Sequence, residues 1–168
     1  MNDSELIGNL SNIYIMLLCS IMKNDIERVK CYLNDNLYNK YKEIIDNHID
    51  KNETEMYDEL NVHKIDIISR NIVDNKEVIT VRLESRYMNY IMDNETKKVT
   101  SGVNTHRIEK TNILVFEKDN NTNNNKVVHK CPNCGANLDI NYNGVCSYCN
   151  KSINLKEDYV LTKLDTIN

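Results

Sequence analysis

Four cysteines near the carboxyl end are spaced as two Cys-x-x-Cys pairs, and no other feature of the sequence restricts the structure as strongly. The pairs are Cys131 with Cys134 and Cys146 with Cys149. Each pair can form a tight turn that directs two thiolates toward one point, so two pairs supply the four ligands of a tetrahedral zinc site. Because four thiolates leave no position for a catalytic water, the predicted zinc ion is structural and contributes folding energy to a small module.

The residues beside the cysteines support this interpretation. Gly135 and Asn150 directly follow the second cysteine of each pair, and both residue types tolerate the left-handed backbone conformation that such turns need. Iron in the same thiolate site is the main alternative, because tetrahedral sulfur sites suit either metal. A redox dithiol would need one pair rather than two. His129 is interpreted as a surface residue, since the cysteines already complete the site.

The remaining features favour a cytoplasmic protein without a membrane span. The first residues lack the basic region of a secretory signal. The apolar run from Ile13 to Met22 is about half of the roughly twenty residues that a spanning helix needs. Cys19 and Cys31 lie far apart in helix-like sequence and are interpreted as inert buried thiols.

Charge argues against a nucleic-acid partner. The net charge of the chain is -4. From Lys126 onward there are five lysines and four acidic residues, and zinc with four thiolates adds about -2. The net charge of this zinc-binding segment is therefore close to -1, whereas a phosphate-binding surface normally carries a basic excess.

The amino-terminal part reads as helices. Apolar residues recur at helical spacing from Ser4 to Lys23, with Ser4 as the expected N-cap, and the stripe extends almost all round the helix. This predicts deep burial or burial against a partner, and a homodimer through this helix is expected. A short helix over Ile26–Leu33, a long one from Leu37 to Asn52 and a short fourth piece from Glu53 to Leu60 complete the helical part.

Strands follow the helices. The first predicted strand begins at Val62 and ends at Asp74-Asn75. A long second strand covers Glu77–Asp93, and one of its faces carries Ile79, Val81, Leu83 and Ser85. A third strand covers Thr105–Lys118. The polar run after Lys118 cannot bury apolar area and predicts a linker. Helices first and strands second predict an α+β fold.

Several phrases resemble a known family. They are Asp25–Leu33, Asn36–Tyr38 and Arg82–Tyr90, arranged behind a nearly all-apolar first helix. They resemble the Tim44-like domain, named after a mitochondrial import subunit and part of the nuclear transport factor two-like superfamily. Cys131–Ala136, Asn143–Cys146 and Tyr159–Leu161 are similar to bacterial proteins that carry this domain followed by a zinc ribbon.

The resemblance implies N-terminal helices packed on a curved, mainly antiparallel sheet, which together form a cone with an apolar pocket. The expected division is a Tim44-like domain at 1–119, a polar linker at 120–128, a zinc ribbon at 129–157 and a final strand at 158–168. That strand either rejoins the main sheet or stays with the ribbon. Mitochondrial members have a further N-terminal region that docks a chaperone. This chain begins at the domain, so import function is not expected. Membrane-lipid binding is not expected either, because no basic amphipathic helix is evident.

The expected function is non-enzymatic binding, in which the pocket or a sheet face engages a protein segment or a hydrophobic ligand. No residue is assigned a catalytic role. The alternatives are an enzyme that uses the pocket, and a nucleic-acid-associated ribbon protein. An enzyme would need titratable groups in the pocket, and those considered on the strands are His63, Asp66, Arg82, Glu84 and His106. His63 shares the predicted inner face of Ile65 and Ile67, and His48 is interpreted as a core-edge histidine.

Overall fold

The computed structural model describes residues 2–120, 134–136, 146, 148–150 and 159–167. Helix α1 spans Asp3–Met22 and helix α2 spans Asp35–Asp50, with two short 3₁₀ turns at Ile26–Arg28 and Lys30–Tyr32 between them. Strands follow at Glu53–Val73 (β1), Lys76–Asp93 (β2), Val99–Gly102 (β3), Ile108–Asp119 (β4) and Val160–Thr166 (β5). The predicted α+β fold, with N-terminal helices on a curved antiparallel sheet, is confirmed.

Both helices begin with a side-chain cap. The side chain of Asn2 accepts a hydrogen bond from the backbone N–H of Glu5 at 2.8 Å, and the Glu5 carboxylate accepts one from the Asn2 N–H at 3.2 Å. This capping box replaces the expected Ser4 cap, which was wrong. Asn34 caps α2 by accepting from the Leu37 N–H at 3.0 Å. These caps satisfy backbone donors that would otherwise lack a partner.

Two of the four predicted helical pieces do not form α-helix. The segment Ile26–Leu33 contains two 3₁₀ turns instead. The piece from Glu53 to Leu60 was wrong, since β1 begins at Glu53 and pairs with β2 from Glu53↔Asp93 onward. Asn52 has a positive φ of 52° and ends the helical run. Pairing with β2 then overrides the helix preference of the following residues.

The sheet is antiparallel throughout its described part, in the order β1-β2-β4-β5, with β3 beside β2. β1 and β2 meet at Asp74-Asn75, where both φ angles are positive, as a two-residue hairpin turn requires. The sequence left two positions open for the final strand. In the structure it lies in the main sheet, where Val160 pairs with Glu117 and Leu164 with Leu114. The predicted linker lies almost wholly outside the described residues, and so does most of the predicted ribbon.

The core lies between the helices and one face of the sheet. The predicted inner face of β2 is confirmed, because Ile79, Val81, Leu83 and Ser85 are each 0% exposed. By length and composition alone α1 could cross a membrane, with a mean hydropathy of 1.4 in its most apolar window. In the fold α1 packs Leu10, Tyr14 and Leu17 into the core, and 44% of that apolar window is buried.

Candidate metal centre and candidate binding cleft

Three of the four predicted zinc ligands lie together. The sulfur atoms of Cys134, Cys146 and Cys149 are all within 4.8 Å of one another, and Cys134 Sγ is 3.8 Å from Cys146 Sγ. Cys146 is buried, Cys149 is half-buried and Cys134 is exposed. Cys131, the fourth predicted ligand, lies outside the described residues, as does His129.

The distances suit a shared metal ion. Zinc–sulfur bonds of about 2.3 Å at tetrahedral angles place neighbouring sulfur atoms about 3.8 Å apart. A disulfide would require about 2.05 Å. The left-handed conformations predicted beside the cysteines are confirmed, with φ of +76° at Gly135 and +58° at Asn150. The Asn150 N–H also donates to the Cys146 carbonyl at 2.8 Å, which closes the second turn.

A separate cleft opens beside α1. It has a volume of about 210 Å³ and is lined by Asn9, Asn12, Ile13 and Met16 of α1, by Tyr32, and by Tyr159 just before β5. The α1 residues follow the i, i+3, i+4, i+7 spacing of one helix face. The helical stripe was visible in the sequence, but the two tyrosines come from distant segments, so the sequence could not reveal the cleft.

Tyr159 is held in place by an ion-pair network. Its hydroxyl donates to Glu77 Oε2 at 2.8 Å, and Arg70 donates to the other oxygen of the same carboxylate. Burial raises the pKa of Tyr159 to about 12, with a further contribution from the bond to Glu77. Burial acts to raise the pKa of Glu77, but the bonds from Tyr159 and Arg70 outweigh it and lower that pKa. Tyr159 is therefore a neutral wall of the cleft at physiological pH.

A buried polar network connects α1 to the middle of the sheet. Tyr14 Oη and Ser85 Oγ are 2.9 Å apart, and the Asn112 side-chain amide donates to Tyr14 Oη at 3.4 Å. The Thr166 hydroxyl donates to Asn112 Oδ1 at 2.8 Å. Burial also raises the pKa of Tyr14, so its hydroxyl stays protonated. This network joins α1, β2, β4 and β5.

His48 lies where α2 meets β1. Its Nδ1 is 3.0 Å from Glu53 Oε1 and its Nε2 is 3.5 Å from Glu55 Oε1, and the residue is 9% exposed. The hydroxyl of Tyr57 donates to Glu55 at 3.0 Å. The expected core-edge position of His48 is confirmed. Its carboxylate partners were missed, because Glu53 was assigned to a helix rather than to a strand.

The other candidate titratable residues do not converge on a site. The register shifts between Val62 and Lys64, so the bulge at His63 turns its imidazole to the outer face, where Nε2 is 3.6 Å from Glu84 Oε2. The prediction that His63 faces inward with Ile65 was therefore wrong. Arg82 contacts Glu84 on the same outer face at 3.3 Å. Asp66 and His106 are exposed.

The sheet also buries several tyrosines outside the cleft. The rings of Tyr57 and Tyr87 meet edge to face with centroids 5.0 Å apart. Burial raises the pKa of Tyr41 to about 12, and it raises the pKa values of Tyr57 and Tyr87 as well. Tyr41 and Tyr87 are buried and Tyr57 is half-buried, so these rings belong to the packing of the fold.

Comparison with known proteins identifies a family and a fold. The Tim44-like domain model matches residues 2–130. The structure is similar to one titled "Crystal structure of intermembrane space region of chloroplast protein ARC6", with a TM-score of 0.53 and 8% sequence identity. That similarity covers 99% of this chain and 96% of the other, and at such low identity it shows the fold alone. The comparison with curated proteins gave no match.

Proposed function

Because the chain belongs to the Tim44-like domain family, we propose that it is a non-enzymatic binding or adaptor protein that carries a structural zinc ribbon. Fold alone does not decide function, so the proposal depends on the site. The observation that carries it is the cleft beside α1. Among the residues that the structure describes, its lining consists of two amides, two tyrosines and two apolar side chains, without a carboxylate or an imidazole. Such a surface can bind, but it offers no general acid or base near physiological pH.

The contact between His48 and Glu53 is the arrangement that an enzyme would use. It lies at the junction of α2 and β1, and neither residue lines the cleft. A catalytic dyad needs a cavity where a substrate can meet it. We therefore assign this pair to holding the end of α2 against the sheet.

The ribbon proposal includes all four cysteines, with Cys131 as the fourth ligand. A four-thiolate shell would hold zinc as a structural clip, and no reaction step is assigned to it. Elemental analysis of natively purified protein should give about one zinc per chain. Cys134→Ser should lose most of the metal. Cys19→Ser should retain it, because Cys19 lies on α1, where it is half-buried rather than buried as expected. Iron in the native protein would contradict zinc as the metal. Equal zinc in both variants would contradict the cysteines as its ligands.

The proposal also includes a cytoplasmic location and self-association through α1. The location is supported by the two Cys-x-x-Cys pairs, because metal-binding thiolates persist in a reducing compartment. Self-association is supported by half-buried apolar residues along α1, including Ile7, Ile15 and Met22. Light scattering at high micromolar concentration should report a dimer, and a monomer there would refute this part.

The binding function is tested by affinity capture from the native host with two matched variants. Asn12→Trp fills the cleft from its exposed side, and Asn39→Trp makes the same change on the exposed surface of α2. A genuine cleft partner should be captured by the native chain and by Asn39→Trp, and lost with Asn12→Trp. Capture that is identical with all three proteins would exclude the cleft as the binding site.

A further inference from the structure

The size of the cleft limits what can occupy it. Pockets for drug-sized ligands usually measure about 300–1,000 Å³. The cleft beside α1 measures about 210 Å³. It is therefore too small for most whole cofactors, but large enough for a single large side chain.

The chemistry of the cleft limits its occupant further. The lining residues in the described part of the chain offer no charged side chain to an ionic group, and burying an unpaired ion is costly. The hydroxyl of Tyr159 is already engaged by Glu77. Ile13, Met16 and the ring of Tyr32 provide apolar, polarizable surface of the kind that packs well against aromatic rings. An uncharged ring is the side chain that this lining suits best.

The asparagine at the open edge of the cleft, Asn12, points to a peptide rather than a free ring. Its side-chain amide has both hydrogen-bond donors and an acceptor, which matches the N–H and C=O of a peptide group. Asn9 and Asn12 lie three residues apart on the same face of α1, and Asn12 is exposed. A peptide group that follows the cleft edge can therefore bond to Asn12 while its side chain enters the cavity.

We propose that this cleft receives one uncharged aromatic side chain of an extended partner peptide, with Asn12 binding the adjoining peptide group. This inference rests on the proposed binding function and names the chemistry of the partner. It predicts that recognition is tolerant of the sequence around the ring but excludes a charge at the anchoring position.

The test uses three capped tripeptides and the full-length protein labelled at its methionine methyl groups. The probes are acetyl-Ala-Phe-Ala-amide, its Asp counterpart and its Lys counterpart, with phenol as a free ring. The Phe peptide should shift the Met16 methyl resonance with a Kd of about 1 mM, while Met88 and Met92 on β2 stay unchanged. The charged peptides should bind at least tenfold more weakly, because they would bury an unpaired charge.

Variants separate the parts of the proposal. Asn12→Ala should weaken the Phe peptide several-fold and leave phenol binding unchanged, whereas Asn39→Ala should change neither. If phenol binds as tightly as the Phe peptide, the assignment of a peptide ligand is wrong. If the charged peptides bind as tightly as the Phe peptide, the assignment of an uncharged aromatic anchor is wrong. If the Phe peptide fails while Asn12→Trp still abolishes capture from the host, the binding function stands and only the ligand class is wrong.

Discussion

Tyr14 and Ser85 are 71 residues apart in the sequence and form one buried hydrogen bond at the centre of the fold. Tyr14→Phe removes the phenol oxygen and leaves the Ser85 hydroxyl, which is 0% exposed, without that partner. A buried polar group that loses its partner costs about 1–3 kcal/mol. Chemical denaturation should therefore show a free energy of unfolding lower by about that amount.

The double variant distinguishes a hydrogen bond from lost packing. Ser85→Ala in the Tyr14→Phe background removes the orphaned hydroxyl, so the double variant should be as stable as Tyr14→Phe or more so. If the two changes simply add, the network contributes no coupling and Tyr14 acts only through its ring.

Glu77 is one of the carboxylates that make the stability depend on acid pH. Because bonds from Tyr159 and Arg70 lower its pKa in the folded protein, the unfolded chain binds the proton first. The resulting stabilisation is fully present above the unfolded pKa near 4.5 and is lost as the pH falls through the lower folded value. At pH 7 the Glu77→Gln variant should be about 1–2 kcal/mol less stable than the native protein. Below pH 4.5 it should lose less stability than the native protein does.

The measurement is denaturant unfolding from pH 3 to pH 7. Asp66→Asn is the control. The Asp66 side chain is 56% exposed, and the change affects its ion pair with Lys64, in which Oδ2 and Nζ are 3.6 Å apart. A surface pair of this kind contributes about 0–1 kcal/mol. Parallel acid profiles for Glu77→Gln and the native protein would refute the role of Glu77.

At the scale of single residues, the sequence was informative wherever one local rule decided the outcome. Alternation placed Ile79, Val81 and Leu83 correctly, and turn chemistry predicted the left-handed residues beside the cysteines. Alternation gave the wrong face for His63, because a β-bulge depends on the partner strand and reverses the alternation locally. The Glu77–Tyr159 bond joins residues 82 apart, and no local pattern encodes it.

At the scale of elements, β3 depends on one glycine. Gly102 has a φ of +80°, and a Cβ there would clash with the Asn89 carbonyl and the Tyr90 Cα. No strand was predicted between Asp93 and Thr105. Gly102→Ala should release β3 from β2 and lower stability by about 1–3 kcal/mol, because the strained conformation and the clash act together. Amide exchange should rise at Val99–Gly102 first.

Gly8 provides the matched control on α1. A Cβ there meets nothing within 4 Å, and the residue lies inside a helix. Gly8→Ala should therefore raise stability by about 0.5–1 kcal/mol, because alanine loses less backbone entropy than glycine. The same substitution is thus expected to have opposite signs at the two sites. If both changes destabilise equally, the backbone conformation at Gly102 is not the cause.

The two long helices were predictable because their apolar periodicity continues over many residues. The predicted helices at Ile26–Leu33 and Glu53–Leu60 do not form, because both segments are short and contacts with other segments decide their conformation. The residues after Asn52 carry helix-forming Glu and Met, yet pairing of Glu53 with Asp93 decides in favour of β1. Tertiary pairing outweighs a propensity of a few tenths of a kcal/mol per residue.

At the scale of the whole molecule, β4 and β5 are neighbours in the sheet although the cysteine segment separates them in sequence. Glu117 pairs with Val160, and Asn34 supports β5 from outside through a bond from its N–H to the Leu161 carbonyl at 3.0 Å. The cysteine segment therefore leaves the main sheet from β4 and returns to it at the neighbouring strand β5. Paired strands lie only about 5 Å apart, so a short turn can also join them.

This arrangement predicts that the main domain folds without the ribbon. Replacing residues 121–158 with a six-residue Gly/Ser linker shortens the loop about fivefold, which favours closure by about 1.4 kcal/mol. The shortened protein should bind no zinc, keep the Tyr159–Glu77 contact and unfold at a free energy equal to or above that of the native chain. Denaturant unfolding measures the stability, and Glu77→Gln in the shortened protein tests the contact. A loss of more than about 2 kcal/mol would show that the ribbon packs on the sheet and is part of its core, because loop entropy alone acts in the opposite direction.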